Sequence, residues 1–195
     1  MTGVYKTLGF VDDIEDRKHI MLLYDDEKYR VQVQNRFILN GLARGQHCVC
    51  FTPGEPARFV SELDASGTDL EPFIKQGLVH THKIDEIGDG NPESYLQNTL
   101  AQITQGVSPY FRCVGRFVGD ISTESGIATQ VKIEKAIQGI FDSLGCGYVS
   151  TYGVSEIEPS RRNAWISRLL HHHHYVIYAT EPEKTVAFET DLLGH

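Results

Sequence analysis

Short apolar runs at residues 19–24, 46–52, 78–84, 110–118, 147–153 and 174–180 alternate along the chain with amphipathic segments of helical period. Runs of this length suit strands buried on both faces, and a helix between successive strands is what a parallel crossover requires. The alternation predicts an α/β fold, a three-layer α/β/α sandwich around a mostly parallel sheet. The helical segments carry their own signals. Residues 26–43 place Tyr29, Val33 and Phe37 on one stripe with Ile38 and Leu42 beside it, and Gly45 is the stop. Further helices are expected from Glu55-Pro56 to Gly67, after Thr68-Asp69, from Asn91-Pro92, over 125–144 and from Glu158-Pro159 to Leu170. The 125–144 segment brings Ile133, Ile137, Ile140, Phe141 and Leu144 to one core-facing stripe. No repeat or linker divides the chain, so residues 1–195 read as one domain with a core of about 16–182, and 1–15 and 183–195 as loosely held extensions.

With 195 residues, 41% of them apolar, the chain can bury a core without disulfide or metal staples. The net charge of −8 argues against direct nucleic-acid or anionic-membrane binding, both of which need a basic face. There is neither a signal-peptide pattern nor an apolar run long enough to cross a bilayer, so a cytoplasmic location is expected. Cys48, Cys50, Cys113 and Cys146 lack CxxC spacing and fall in apolar runs, which reads as reduced core thiols.

The first apolar run, His19-Ile20-Met21-Leu22-Leu23-Tyr24, leads into a helix through Asp25-Asp26-Glu27-Lys28. A phosphate-gripping loop, GxxxxGK[ST], needs glycines to wrap backbone N–H groups around phosphate and a lysine to neutralise it. Acidic side chains in that place repel a triphosphate. In open parallel sheets ligands bind beyond the carboxyl ends of the strands. That rule selects Tyr24 and Asp25, Thr52–Glu55, Asp85 and Glu86, Gly119-Asp120 and Tyr152-Gly153, an aromatic and acidic mix that suits a neutral or cationic organic molecule, and among them the crevice is placed at Tyr24, Asp25, Asp120 and Tyr152 with Glu124 at its rim. The competing expectation is that Tyr24 and Tyr152 fill the vacated phosphate site as core. No GxSxG elbow, HExxH helix or dinucleotide fingerprint is present, so no catalytic residue and no cofactor is assigned.

The segments H-I-M-L-L-Y-D at 19–25, F-I-L-N-G-L-A-R-G-Q-H-C-V-C at 37–50, G-x-D-L-E-x-x-I-x-x-G-L-V from Gly67 and V-G-D-I-S at 118–122 resemble the MEDS domain, the methanogen/methylotroph sensory domain of DcmR-like regulators. The stretch N-G-L-A-R-G is also similar to the KaiC branch of RecA-like ATPases. The resemblance implies a RecA/KaiC-like scaffold with the P-loop lost, and it puts Val118-Gly119-Asp120 where such ATPases end the Walker B strand. It further implies a non-catalytic sensory role: binding a small-molecule effector or a partner, and signalling to a histidine kinase or a transcriptional regulator. No DNA-binding or kinase module fits beside the sensory domain, so action through another protein or by homodimerisation is expected. The alternatives are a nucleotide-binding ATPase remnant using Asp120, and a self-assembling interaction protein.

His171-His172-His173-His174 precedes the last apolar run. In a strand such residues alternate faces, so at most two, such as His171 and His173, converge on one metal ion. The favoured expectation is one or two imidazoles pointing inward near Tyr152, where they could carry a pH or ligand response. Arg161-Arg162 reads as a solvated helix start.

Overall fold

The computed structural model describes residues 5–14, 17–87, 90–180 and 186–190. The elements are β1 (Tyr5–Lys6), α1 (Thr7–Asp13), β2 (His19–Tyr24), α2 (Glu27–Ala43), β3 (Cys48–Thr52), α3 (Pro56–Ala65), α4 (Glu71–Lys75), β4 (Val79–Lys83), α5 (Pro92–Ile103), β5 (Phe111–Gly115), α6 (Glu124–Leu144), β6 (Cys146–Gly153), a 3-10 turn at Val154–Glu156, α7 (Arg162–Leu170), β7 (Tyr175–Ala179) and β8 (Val186–Glu189). The described strands form one sheet in the order β1-β8-β7-β2-β6-β5-β3-β4. From β7 to β4 every pairing is parallel, and only β8 pairs antiparallel, with β7 and β1. β2 lies inside this sheet with every residue buried, which is why its sequence is uniformly apolar after His19.

Strand parity distributes the core. Ile20, Leu22 and Tyr24 of β2 face α1, α2 and α3, where they join Val11, Phe37, Ile38 and Leu63. Met21 and Leu23 face the other way with Tyr152, Ile127 of α6 and Trp165 of α7. Val49, Phe51 and Cys113 meet α5 and α6 through Leu96, Ile103, Ile133 and Ile137. These are the two helical layers expected from the sequence.

Several boundaries differ from expectation. The strand expected over 110–118 stops at Gly115, where β5 approaches β3 so closely that a Cβ would stand 2.4 Å from the Phe51 carbonyl oxygen. Asp120 is therefore not at a strand end. The last helix begins at Arg162 instead of Glu158-Pro159, and its C-terminus runs into the histidines. His171 caps α7 and the run forms a turn before β7, so the alternation expected of a strand does not apply. Of the ends read as loose extensions, residues 1–4, 15, 183–185 and 191–195 lie outside the described residues. The rest are integrated: Val11 and Ile14 are buried, and β1 and β8 extend the sheet edge. Elements this short carry too few residues for a periodic signal.

Candidate functional site

An open cleft of about 560 Å³ lies beyond the carboxyl ends of β2, β3, β5 and β6, between α2 and α3. Tyr24, Phe51, Pro53 and Phe59 supply its apolar walls. Glu27, Glu55, Glu62, Glu86 and Glu156 line it against Arg30, Arg58 and Arg116. The arginines are committed to the protein. Arg30 bonds Glu27, donates to Gln34 at 2.6 Å and to Glu62 at 2.5 Å, and Arg58 reaches Glu62 at 2.9 Å. Burial works against ionisation of Glu62, but the Arg30 and Arg58 guanidiniums outweigh it and hold the carboxyl below the usual range. Arg116 donates to the Val118 and Gly119 carbonyls, each at 2.8 Å, and pairs with Glu156 at 2.9 Å. Tyr24 donates its hydroxyl to Glu156 at 2.9 Å, and burial together with the Glu156 charge raises its pKa.

The start of α2 carries an acidic cap where a P-loop would carry glycines and lysine. Asp26 is the N-cap, and its carboxylate accepts the Lys28 backbone N–H at 2.8 Å. The positive end of the helix is occupied by the chain's own anion.

Of the five residues assigned to the crevice from sequence, only Tyr24 lines this cleft. Register pairs Leu23 with Tyr152 and Tyr24 with Gly153, so Tyr24 and Tyr152 project to opposite faces of the sheet. No crevice can be lined by both. Asp25 is exposed and accepts the Tyr178 hydroxyl at 3.0 Å. Asp120 is exposed and accepts the Ser122 backbone N–H at 2.8 Å; the Ser122 contacts hold its carboxyl below the usual range. Glu124 sits apart from the cleft, at the start of α6, and pairs with Arg161. Other strand-end positions the sequence offered do line it: Thr52–Glu55 after β3, Glu86 after β4 and Gly119 after β5.

A second constellation is wholly internal. His19, Gln130, Glu134, Ser150 and Tyr152 are fully buried, and His173 is nearly so. Tyr152 donates to Glu134 Oε1, which also accepts Gln130 Nε2 at 2.7 Å. Gln130 Oε1 accepts the Val118 backbone N–H at 3.0 Å. Ser150 Oγ lies 3.1 Å from His19 Nε2 and 3.0 Å from His173 Nε2, and His19 Nε2 lies 3.1 Å from Glu134 Oε2. The His19 ring stacks against Tyr148 and Phe141 at centroid distances of 4.9 and 5.2 Å. Burial pushes the pKa of both His19 and His173 down to about 3, so both rings are neutral near pH 7.

The histidine run thus contributes one fully enclosed ring, His173, in edge-to-face contact with Tyr152 at 6.3 Å, while the half-buried His174 packs on Phe141 and accepts the His19 backbone N–H at 3.0 Å. His171 is exposed, with Nδ1 2.6 Å from the Ser167 carbonyl, and does not share a centre with His173. Sequence reasoning missed His19, Gln130, Glu134 and Ser150. A signal was present: Gln130 and Glu134 interrupt the buried stripe of α6 between Ile127, Ile133 and Ile137.

The profile of a protein family, described as MEDS, the MEthanogen/methylotroph, DcmR Sensory domain, matches residues 18–173. Among solved structures, a KaiC-like protein from the archaeon Pyrococcus horikoshii OT3 superimposes with a TM-score of 0.62 at 17% identity, covering 86% of this chain and 73% of that one. A second protein from the same organism gives 0.58 at 10% identity, over 88% of this chain and 86% of its own. At these identities the likeness is one of fold, and the fold is RecA/KaiC-like. A 94-residue stretch is 26% identical to the 3-hydroxyacyl-CoA dehydrogenase-like protein LAM1 of Cochliobolus heterostrophus, covering 45% of this chain and 20% of that protein. The chain spans about a fifth of that relative's length. No helix among the described residues is long and apolar enough to cross a membrane.

Proposed function

The chain belongs to the MEDS family of sensory domains, and from that premise we propose that it is a non-catalytic cytoplasmic sensor whose effector occupies the cleft between α2 and α3. The effector is a small neutral or cationic organic molecule. Signalling passes to a partner such as a histidine kinase or a transcriptional regulator, directly or through a homodimer. The observation that carries this reading is the replacement of a phosphate grip by the chain's own carboxylates: Asp26 caps α2, and the cleft has more glutamates than arginines, each arginine already engaged. Aromatic walls with a few convergent polar groups, in a volume of about 560 Å³, match a small-molecule pocket. An effector that bridges Tyr24 and Glu156 to α3 would change the spacing of α2 and α3, a displacement a docked partner can read.

Thermal-shift and calorimetric titration with a panel of neutral and cationic organic molecules tests the assignment. A ligand at about one hundred times its Kd stabilises the fold by about 2.7 kcal/mol, a rise of roughly 5–10 °C in Tm for a chain of this size. Glu156→Gln is expected to weaken that ligand. Micromolar binding of Mg-ATP in the same cleft, with no organic ligand found, would overturn the reading in favour of a nucleotide-binding remnant.

A further inference from the structure

The internal cluster has the make-up of a metal centre. We propose that His19, Glu134 and His173 form a buried site for one borderline-soft divalent transition-metal ion, Zn²⁺ or Fe²⁺ in class, with Ser150 Oγ as a fourth oxygen donor. His19 opens β2, Ser150 lies on the neighbouring β6, Glu134 comes from α6, and His173 from the turn between α7 and β7. An ion there would bolt α6 and that turn onto the middle of the sheet.

The donor spacing fits. Four ligands at the usual 2.0–2.2 Å around a tetrahedral ion stand about 3.4 Å from one another. Glu134 Oε2 lies 3.1 Å from His19 Nε2 and 3.7 Å from His173 Nε2, and all three donor atoms fall within 4.8 Å of one another. Ser150 Oγ closes the group at 3.0 and 3.1 Å from the two nitrogens.

The hydrogen-bond arrangement points the same way. His173 Nδ1 lies 2.7 Å from the Leu169 carbonyl, which requires the proton on Nδ1 and turns the Nε2 lone pair into the cluster. That is the outer contact by which a metal-bound imidazole is ordinarily oriented. Without an ion, His19 Nε2–H can donate to Ser150 Oγ, and Ser150 can donate to His173 Nε2. That chain satisfies the rings' inner nitrogens yet leaves Glu134 Oε2, and the outer nitrogen His19 Nδ1, without a hydrogen-bond partner, although both side chains are completely shielded from water. Oε1 already receives both Tyr152 and Gln130. A buried carboxylate oxygen aimed at two imidazole nitrogens and lacking a donor is costly unless a cation completes it. Two imidazoles exclude the all-oxygen preference of Mg²⁺ and Ca²⁺ and suit Zn²⁺ or Fe²⁺.

Because the site is closed, it loads during folding, and the experiment refolds the whole chain. Protein unfolded in chelator is refolded with Co²⁺, desalted, and measured for cobalt content and visible ligand-field absorption. The expected result is one ion per chain with the strong absorption of a four-coordinate site, lost in Glu134→Gln. It should persist in a variant carrying His80→Asn, His171→Asn and His172→Asn, which strips imidazoles nearer the surface. Failure of the wild type to retain an ion would overturn the proposal. So would equal retention by Glu134→Gln, or loss in the triple variant, which would mean an adventitious ion only. Should Glu134→Gln not fold, X-ray absorption on the Zn²⁺-refolded wild type decides independently. Two imidazoles with oxygen completing the shell are expected, and a sulfur or third imidazole ligand refutes the assignment.

Discussion

Removing the same hydroxyl from two tyrosines should have very different effects. Tyr152→Phe deletes a group at 0% exposure that donates to Glu134 Oε1 and accepts from Gln130 at 3.2 Å. No water can replace it, and shortening the supply of donors to a buried carboxyl costs about 1–3 kcal/mol. Gln130 Nε2 remains 2.7 Å from the same oxygen, so only one donor is lost and the middle of that range, about 2 kcal/mol, is expected. Tyr24→Phe deletes a hydroxyl bonded to Glu156, a side chain 33% exposed at the mouth of the cleft. Water takes the vacated place, and the expected cost is about 0.5 kcal/mol or less. Urea unfolding measured in chelator, so that no bound ion contributes, reads both. With m of about 2 kcal/mol/M, the Tyr152 variant should lose about 1 M in midpoint and the Tyr24 variant about 0.25 M or less, at unchanged m. Equal losses, or a larger one for Tyr24, would refute the assignment of Tyr152 to the closed network and of Tyr24 to the cleft wall.

Gly115→Ala should destabilise by about 1–3 kcal/mol in the same assay, because its Cβ would meet the Phe51 carbonyl oxygen at 2.4 Å and prise β3 from β5 at the cleft floor; wild-type stability would show the approach to be relaxed. Asp26→Ala should cost about 1 kcal/mol through loss of the α2 cap, and a change below about 0.3 kcal/mol would remove the cap from the account. Burial pushes the Cys48 and Cys146 thiols up to about 12 and raises Cys50 and Cys113 as well. A disulfide reagent at pH 8 should therefore label the native protein only as fast as it opens, and all four thiols promptly in denaturant; rapid native labelling of any of them would contradict this.

The sandwich was legible because its signals are local. A residue's neighbours at period two or 3.6 say whether it enters a strand or a helix, and β2 carried this so strongly that its expected and observed ranges, 19–24, coincide. The loss of the phosphate loop was equally local, written in Asp25 to Lys28. The motif resemblance to a sensory domain rested on consecutive residues too, and the family match over 18–173 agrees with it.

Which side chains share a site was not local. Tyr24 and Tyr152 both end strands and look equivalent in the chain, but the pairing of Leu23 with Tyr152 sends them to opposite faces, and register is a property of two strands together. In the same way, His19 and His173 stand 154 positions apart in the numbering, and Glu134 reads as one polar residue on an apolar helix until α6 lies across β2 and β6. The sequence by itself determined most of the central strands and covering helices, their apolar faces and the absence of a P-loop motif. Only the tertiary structure decided that five acids converge on one cleft and two imidazoles on a buried carboxylate, because convergence depends on which faces the packed sheet and helices turn toward each other.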